Sequence, residues 1–307
     1  MEPSFAYTER NGGACITGIF KDSACIAVPD RLDGLPVTEL ADRAFAGSAA
    51  EQIFLPQTLK RIGRYAFYGC ERLHELHVYA GIREIGGGVL NGCHRLKELF
   101  VHMEADGRSP LRDFVTEQSG RITVHCLFSD KEKGEYEAAR LIFPIYYDEA
   151  VENTPARITV SNIHGSGQKY RYCFVDRRLQ FDKYDRLFVY EKAEEDACLA
   201  AEIALCRLRF PYALSKAAGT EYETFLQEKL PEVLSGCLGD SESFKWLLGR
   251  FGRDETGKAG LSPGAVEALL AEASRRRLPE LVSLLTDYRH EVFLPGKRKS
   301  RFSLNDE

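Results

Sequence analysis

Three stretches of the chain repeat one another. Leu40-Ala41-Asp42-Arg43-Ala44-Phe45-Ala46-Gly47 leads on to Ile53 and Leu55. Ile62-Gly63-Arg64-Tyr65-Ala66-Phe67-Tyr68-Gly69-Cys70 leads to Leu76 and Val78, and Ile85-Gly86-Gly87-Gly88-Val89-Leu90-Asn91-Gly92-Cys93 to Leu99 and Val101. The period is 22 residues from Leu40 to Ile62 and 23 from Ile62 to Ile85. One such copy cannot bury its own apolar side chains, so copies must stack into a continuous core with atypical ends. The chain is therefore expected to wind into a short solenoid. Fainter copies flank the three: Ile26-Ala27-Val28-Pro29 before them and Ile122-Thr123-Val124 after. Ile122 lies 23 residues beyond Leu99, which predicts that the register persists.

The residue types fit that winding. Each copy offers a short strand whose alternate residues point inward, such as Leu76 and Val78, because side chains alternate across a strand. Each also offers a turn or helical segment with one large anchor, Phe45, Phe67 or Leu90. Glycines recur at 47, 69 and 92, where the turn segment must end and a positive φ is often required. If Leu76 and Val78 face inward, His77 faces outward, and so do Phe54 and Phe100 at the equivalent positions. The expected outward row is Phe54, His77 and Phe100, flanked by Gln52, Glu75 and Glu98 on one side and by Tyr79 and His102 on the other. Water-facing strand positions are normally polar, so two phenylalanines there need a reason. They form either a cross-strand ladder, a surface covered by another part of the protein, or aromatic anchors for a partner.

This stretch resembles the BspA-type leucine-rich repeats of bacterial proteins, with their I-G-x-x-A-F-x-x-C and L-x-x-L-x-I-P pattern. Ile62-Gly63, Ala66-Phe67 and Cys70 match the first half; Leu73, Leu76 and Val78 match most of the second. Asp33-Gly34-Leu35-Pro36-Val37-Thr38-Glu39-Leu40 is similar to the lead-in of a first full repeat, and the third copy departs with Val89-Leu90 in place of Ala-Phe. The resemblance covers residues 14–126 and implies a solenoid used for binding rather than for chemistry. Members of that family are often exported proteins that bind other proteins. Here the first residues, Met1 to Tyr7, include an acid and no apolar signal core, and a cytoplasmic location is expected instead.

Composition supports that location. The chain has nine cysteines among 307 residues, an odd number, scattered without a C-x-x-C pair, which fits free thiols in a reducing compartment. A net charge of −5 gives no electrostatic reason to expect nucleic acid, and no run of ~18 apolar residues offers a membrane span. The basic runs Arg275-Arg276-Arg277 and Lys297-Arg298-Lys299 read as solvated surface.

Beyond the repeat, residues 127–192 read as a connecting region with a β-hairpin. Its strand-like runs are Arg157-Ile158-Thr159-Val160 and Tyr170-Arg171-Tyr172-Cys173-Phe174-Val175, around a Gly165-Ser166-Gly167 turn. Residues 193–294 read as an α-helical domain. Ala197, Ala200, Ala201, Ala204, Leu205 and Leu208 recur at helical spacing until Pro211. Thr220 and Ser241 are candidate caps for helices burying Tyr222, Phe225 and Leu226, and Phe244, Trp246 and Leu247. Ser262-Pro263 and Pro279 start two last helices, with Val266, Leu269 and Leu270, then Leu281, Leu285 and Tyr288. This pair faintly resembles an ankyrin-type helical repeat, without its T-P-L-H-x-A signature. Residues 295–307 read as a basic tail. The expected fold class is α+β: solenoid, small β-containing segment, helical domain.

Signs of chemistry are sparse. Gly165-Ser166-Gly167-Gln168-Lys169 lacks P-loop spacing and is expected to be a hairpin turn. His74, His77, His94 and His102 do not fall at equivalent positions, so no metal site is expected. Asp176, Asp182 and Asp185 among Arg177, Arg178 and Arg186 are expected to form structural ion pairs. No catalytic residue and no cofactor is assigned. The reading is a protein-binding module that uses Phe54, His77, Phe100, Glu75, Glu98, Tyr79 and His102 on the outward sheet face. A self-associating homo-oligomer is one variant of it. The alternative is an enzyme or small-molecule binder with its site in residues 140–250 and the solenoid as a docking arm.

Overall fold

A computed structural model describes residues 4–104, 106–130, 134–153, 158–194, 197–254 and 256–293. The basic tail at 295–307 lies outside them. The described chain forms two compact units, residues 1–219 and 220–307.

The first unit is built on a solenoid with two strands per turn. An antiparallel pair, β1 (Ser4–Arg10) and β2 (Gly13–Lys21), opens it. The strands that follow are β3 (Cys25–Ala27), β4 (Arg31–Leu32), β5 (Leu35–Leu40), β6 (Gln52–Phe54) and β7 (Arg61–Ile62). Then come β8 (Glu75–Tyr79), β9 (Glu84–Ile85) and β10 (Glu98–His102). Helix α1 (Leu111–Thr116) precedes β11 (Ile122–Asp130) and β12 (Gly134–Phe143). The longer sheet runs β12-β11-β10-β8-β6-β3, and a second runs β1-β2-β5-β7-β9, with β4 beside β5. Leu40, Ile62 and Ile85 are in register in that second sheet, and Ile26, Ile53, Leu76 and Leu99 in the first. All seven of these side chains except Ile85 are buried, as are Phe45, Phe67 and Leu90.

Two details show why the repeat reads as it does. The anchor segments are tight turns, not helices, and Gly47, Gly69 and Gly92 close them at φ of 72°, 68° and 86°. The Ile-Gly pair reflects close approach between turns. A Cβ on Gly63 would sit 2.4 Å from the Asp42 nitrogen, and one on Gly86 2.4 Å from that of Arg64. The Cys70 and Cys93 thiols each donate, at 3.1 Å, to a carbonyl of the preceding turn, that of Phe45 and of Phe67.

The register expected at the end of the repeat is corrected. Leu99 pairs with Val124, not Ile122, and β11 is therefore 25 residues on, because the turn before it has been replaced by α1. β12 then returns antiparallel and closes the parallel sheet.

The chain continues through the hairpin β13 (Tyr147–Asn153) and β14 (Ile158–His164) into α2 (Gly167–Arg171). Strands β15 (Phe174–Val175) and β16 (Arg178–Leu179), then α3 (Phe181–Arg186), α4 (Phe188–Glu194) and α5 (Ala197–Arg209), complete the unit. The hairpin expected around Gly165-Ser166-Gly167 is thus not found. Ile158–His164 pairs backward with Tyr147–Asn153, and Tyr170 lies in a helix. Gly167 must be glycine because a Cβ there would meet the Pro144 carbonyl at 2.0 Å. Arg157 lies outside the described residues.

Helix α5 has the expected bounds but packs on β12, so it belongs to the solenoid unit. The second unit is helical: the rest of α6 (Lys216–Glu228), then α7 (Leu230–Gly236), α8 (Ser241–Phe251), α9 (Pro263–Arg275) and α10 (Pro279–Phe293). Its core includes Tyr222, Leu226, Phe244, Leu247, Val266, Leu269, Leu281 and Leu285, while Phe225, Trp246 and Leu270 are half-buried. Ser262 caps α9 as its sequence suggests, its Oγ accepting from the Ala265 N–H at 3.2 Å. Two caps differ. Ser215, not Thr220, accepts from the first turn of α6, and Asp240, not Ser241, caps α8 through the Ser243 N–H.

Candidate functional site

The outward face of the longer sheet carries the residues singled out from the sequence. Phe54, His77 and Phe100 are in register, as are Gln52, Glu75 and Glu98, and as are Tyr79 and His102. The rings stack: Phe54 on His77 at 4.1 Å between centroids, His77 on Phe100 at 4.3 Å, and Tyr79 on His102 at 4.0 Å. Neighbouring strands lie ~4.8 Å apart, so aromatic side chains at equivalent positions can meet face to face. Each such contact contributes ~0.5–1.5 kcal/mol beyond area burial. Stacking also half-buries Phe54 and Phe100.

The row has a fourth rung that the sequence reading missed. His125 is in register with Phe100 and stacks on it at 4.1 Å with 5° between the ring planes. The two-residue shift in register hid it. The alternation Thr123-Val124-His125-Cys126 carries the signal, since Val124 and Cys126 are fully buried and His125 must point the other way.

Carboxylates line the row. His125 has Glu137 on Nδ1 and Glu98 on Nε2, both at 2.7 Å. A neutral imidazole has one N–H and could satisfy one of them; two carboxylates call for the imidazolium. Burial pulls the His125 pKa down, but the hydrogen bonds to Glu137 and Glu98 outweigh it and the net shift is upward. Burial likewise pushes Glu137 up, and is overcome by Arg140 and His125, which bring its carboxyl down to about 2. Arg140 grips Glu137 with two hydrogen bonds, of 2.8 and 2.7 Å. His77 behaves oppositely: burial lowers its pKa, although Nε2 lies 2.8 Å from Glu75. Gln52 donates to Glu75 at 3.1 Å, and His102 Nδ1 lies 2.5 Å from Glu135.

Histidines and carboxylates here pair side by side rather than converge. Among the described residues no three of His, Cys, Asp or Glu gather as metal ligands. Nor does Gly165-Ser166-Gly167 form a phosphate cradle. A helix does follow it, contrary to the sequence expectation, but one of five residues, with the Arg171 guanidinium turned back onto the carbonyls of Pro144 and Gly167. The acid–arginine run at 176–186 makes ion pairs with partners outside the run: Arg177 with Asp113, Arg178 with Asp106 and Asp185 with Arg207.

Residues 35–106 match the BspA type leucine rich repeat region, in six copies. That part of the chain is a BspA-type leucine-rich-repeat solenoid. A leucine-rich-repeat protein from T. pallidum (TpLRR) is 27% identical over 34% of this chain and 53% of its own, with a TM-score of 0.30. One from Bacteroides ovatus ATCC 8483 is 20% identical over 34% of this chain and 30% of its own, with a TM-score of 0.29. The aligned region thus spans about half or less of those proteins. No curated protein matches the chain. Among the described residues, no helix is long and apolar enough to cross a membrane.

Proposed function

We propose that the protein is a binding module, not an enzyme, and that it takes a protein partner on the outward face of the longer sheet. The observation that carries this reading is the row Phe54–His77–Phe100–His125 with its ranked carboxylates. A sheet face held rigid by stacked rings and paired side chains loses little conformational freedom on binding, and aromatic side chains are enriched at interface hot spots. The odd number of scattered cysteines fits a reducing, cytoplasmic setting.

The test is an affinity capture from the lysate of the native organism, with wild type and the Phe54→Asp, Phe100→Asp double variant as baits. Circular dichroism establishes that both are folded. Proteins retained by wild type and lost from the folded variant are the expected result. Equal retention by the two would overturn the use of this face.

A further inference from the structure

The aromatic row ends differently on its two sides. At the β11 end, His125 is in register with Arg140, whose guanidinium lies 4.3 Å over the ring of Phe210. At the other end, Phe54 is in register with Ala27 of β3, the last strand of the sheet. Ala27 is exposed, and so is Cys25 beside it. A methyl group cannot cover a phenyl ring. Among the described residues, His77 is the ring stacked on Phe54, and no guanidinium or ammonium lies on its other side. The row therefore has an empty rung over Ala27, with one π-face of Phe54 turned toward it.

Charge narrows what would lie along this face as a whole. The carboxylates of Glu75, Glu98, Glu135 and Glu137 share this face with the guanidinium of Arg140 and the imidazolium of His125. Glu98 and Glu135, three and five strands from β3 and each beside a histidine, have side chains 39% and 45% exposed, so a segment crossing the strands from β3 would meet them. Surface carboxylates beside a low-dielectric wall of rings attract cations and repel polyanions, which disfavours nucleic acid and anionic lipid. An ammonium would answer the charge, but a guanidinium is also flat and stacks on an aromatic face.

We propose that the partner presents an arginine-bearing segment, one of whose guanidinium groups fills the place over Ala27 and stacks on Phe54. This rests on the outward face being the binding face and adds the chemistry of what it binds.

The experiment uses the full chain and short labelled peptides with arginine, lysine or glutamate at alternate positions, followed by fluorescence anisotropy at low and at physiological salt. The arginine peptide is expected to bind, the lysine peptide more weakly and the glutamate peptide not at all. Ala27→Phe fills the rung with a ring and should weaken the arginine peptide about tenfold without lowering Tm. Ala27→Leu covers the same ring face with less bulk and serves if the phenylalanine variant folds poorly. Glu98→Gln with Glu135→Gln should weaken binding and flatten its salt dependence. Undiminished binding by folded Ala27→Phe or Ala27→Leu, or equal binding of arginine and glutamate peptides, overturns the proposal. The two readings fail separately. Lysate partners lost from the Phe54→Asp, Phe100→Asp variant, with no arginine peptide bound by wild type, would sink the arginine assignment and leave the face standing. Partners retained by that variant would sink the face itself.

Discussion

In the solenoid the same residue does the same task every 22 or 23 positions, whereas between residues 134 and 219 hardly any side-chain role is used twice. Leu40 and Ile62, or Ile53, Leu76 and Leu99, bury equivalent groups in register. The later segment is held by single polar anchors. Arg171 is buried and donates to five carbonyls, those of Val115, Gln118, Gly120, Pro144 and Gly167. Tyr184 is buried and its hydroxyl both donates to the Ile142 carbonyl and accepts from the Ile142 N–H, on the free edge of β12. Arg207 and Asp185 form a buried pair, the guanidinium also meeting the carbonyls of Phe210 and Tyr212. A repeat distributes stability over many equal terms; a one-off segment concentrates it in a few.

The largest effect should therefore come from the segment, not the repeat. Asp185→Ala removes the carboxylate from a fully buried guanidinium, and breaking such a pair by deleting one partner costs ~3–5 kcal/mol. Urea unfolding of the variant measures it. A cost within the ~0.5 kcal/mol typical of surface changes would erase the contrast. In the repeat, Leu76→Ala deletes a fully buried side chain and should cost ~2–5 kcal/mol, toward the lower part of that range if the neighbouring turns can close on the gap. Hydrogen exchange sharpens the comparison: protection should fall across adjacent solenoid turns for Leu76→Ala and across β12, α3 and α5 for Asp185→Ala.

The same division explains what could be read from the sequence. The period put Phe54, His77 and Phe100 in one row, and Gln52, Glu75 and Glu98 in another, because a 23-residue offset between parallel strands leaves no freedom of register. His125 escaped because α1 lengthened one turn by two residues. Arg171 and Tyr184 were invisible for a different reason: their partners are backbone atoms far along the chain, and a backbone carbonyl leaves no mark in the sequence. Nothing in Asp185 points to Arg207, 22 residues away on another helix, sooner than to its neighbour Arg186. The Gly-Ser-Gly turn misled because the residue that forbids a side chain at Gly167 is Pro144, not a hairpin neighbour.

Acid should expose the seam where the two regions meet, on the His125–Glu137–Arg140 knot between β11 and β12. The folded-state pKa of Glu137 is brought from 4.5 down to about 2. Its contribution is therefore present above pH 4.5 and lost as pH falls toward 2, on the order of 3 kcal/mol at most. Stability of Glu137→Gln, measured by urea unfolding from pH 6 downward, should decline less steeply than wild type between about pH 4.5 and 2. Parallel curves would place the acid sensitivity elsewhere. His125 acts in the opposite sense. Its raised pKa gives stability that is full below pH 6.5 and lost as the pH climbs through the shifted value.

The smallest effect tests whether the Ile-Gly step is a packing requirement of the repeat or a relic of its sequence. Gly63 has no positive φ, so an alanine is tolerated by the backbone there, and the whole penalty must come from the 2.4 Å approach of its Cβ to the Asp42 nitrogen. That atom belongs to the backbone of the preceding turn, which cannot swing aside as a flexible side chain would. Separating two stacked turns by even a few tenths of an ångström loosens the Arg64 N–H hydrogen bond to Asp42 Oδ1, 2.8 Å long. Overpacking of this kind costs ~1–3 kcal/mol. Gly18 in β2 supplies the control, since a Cβ there meets nothing within 4 Å and its φ is also unexceptional. Gly18→Ala should be neutral or slightly stabilising through the unfolded chain. A thermal melt in which Gly63→Ala matches Gly18→Ala would mean that the turns breathe enough to absorb a methyl group, and that the repeat is held together by its apolar rows alone.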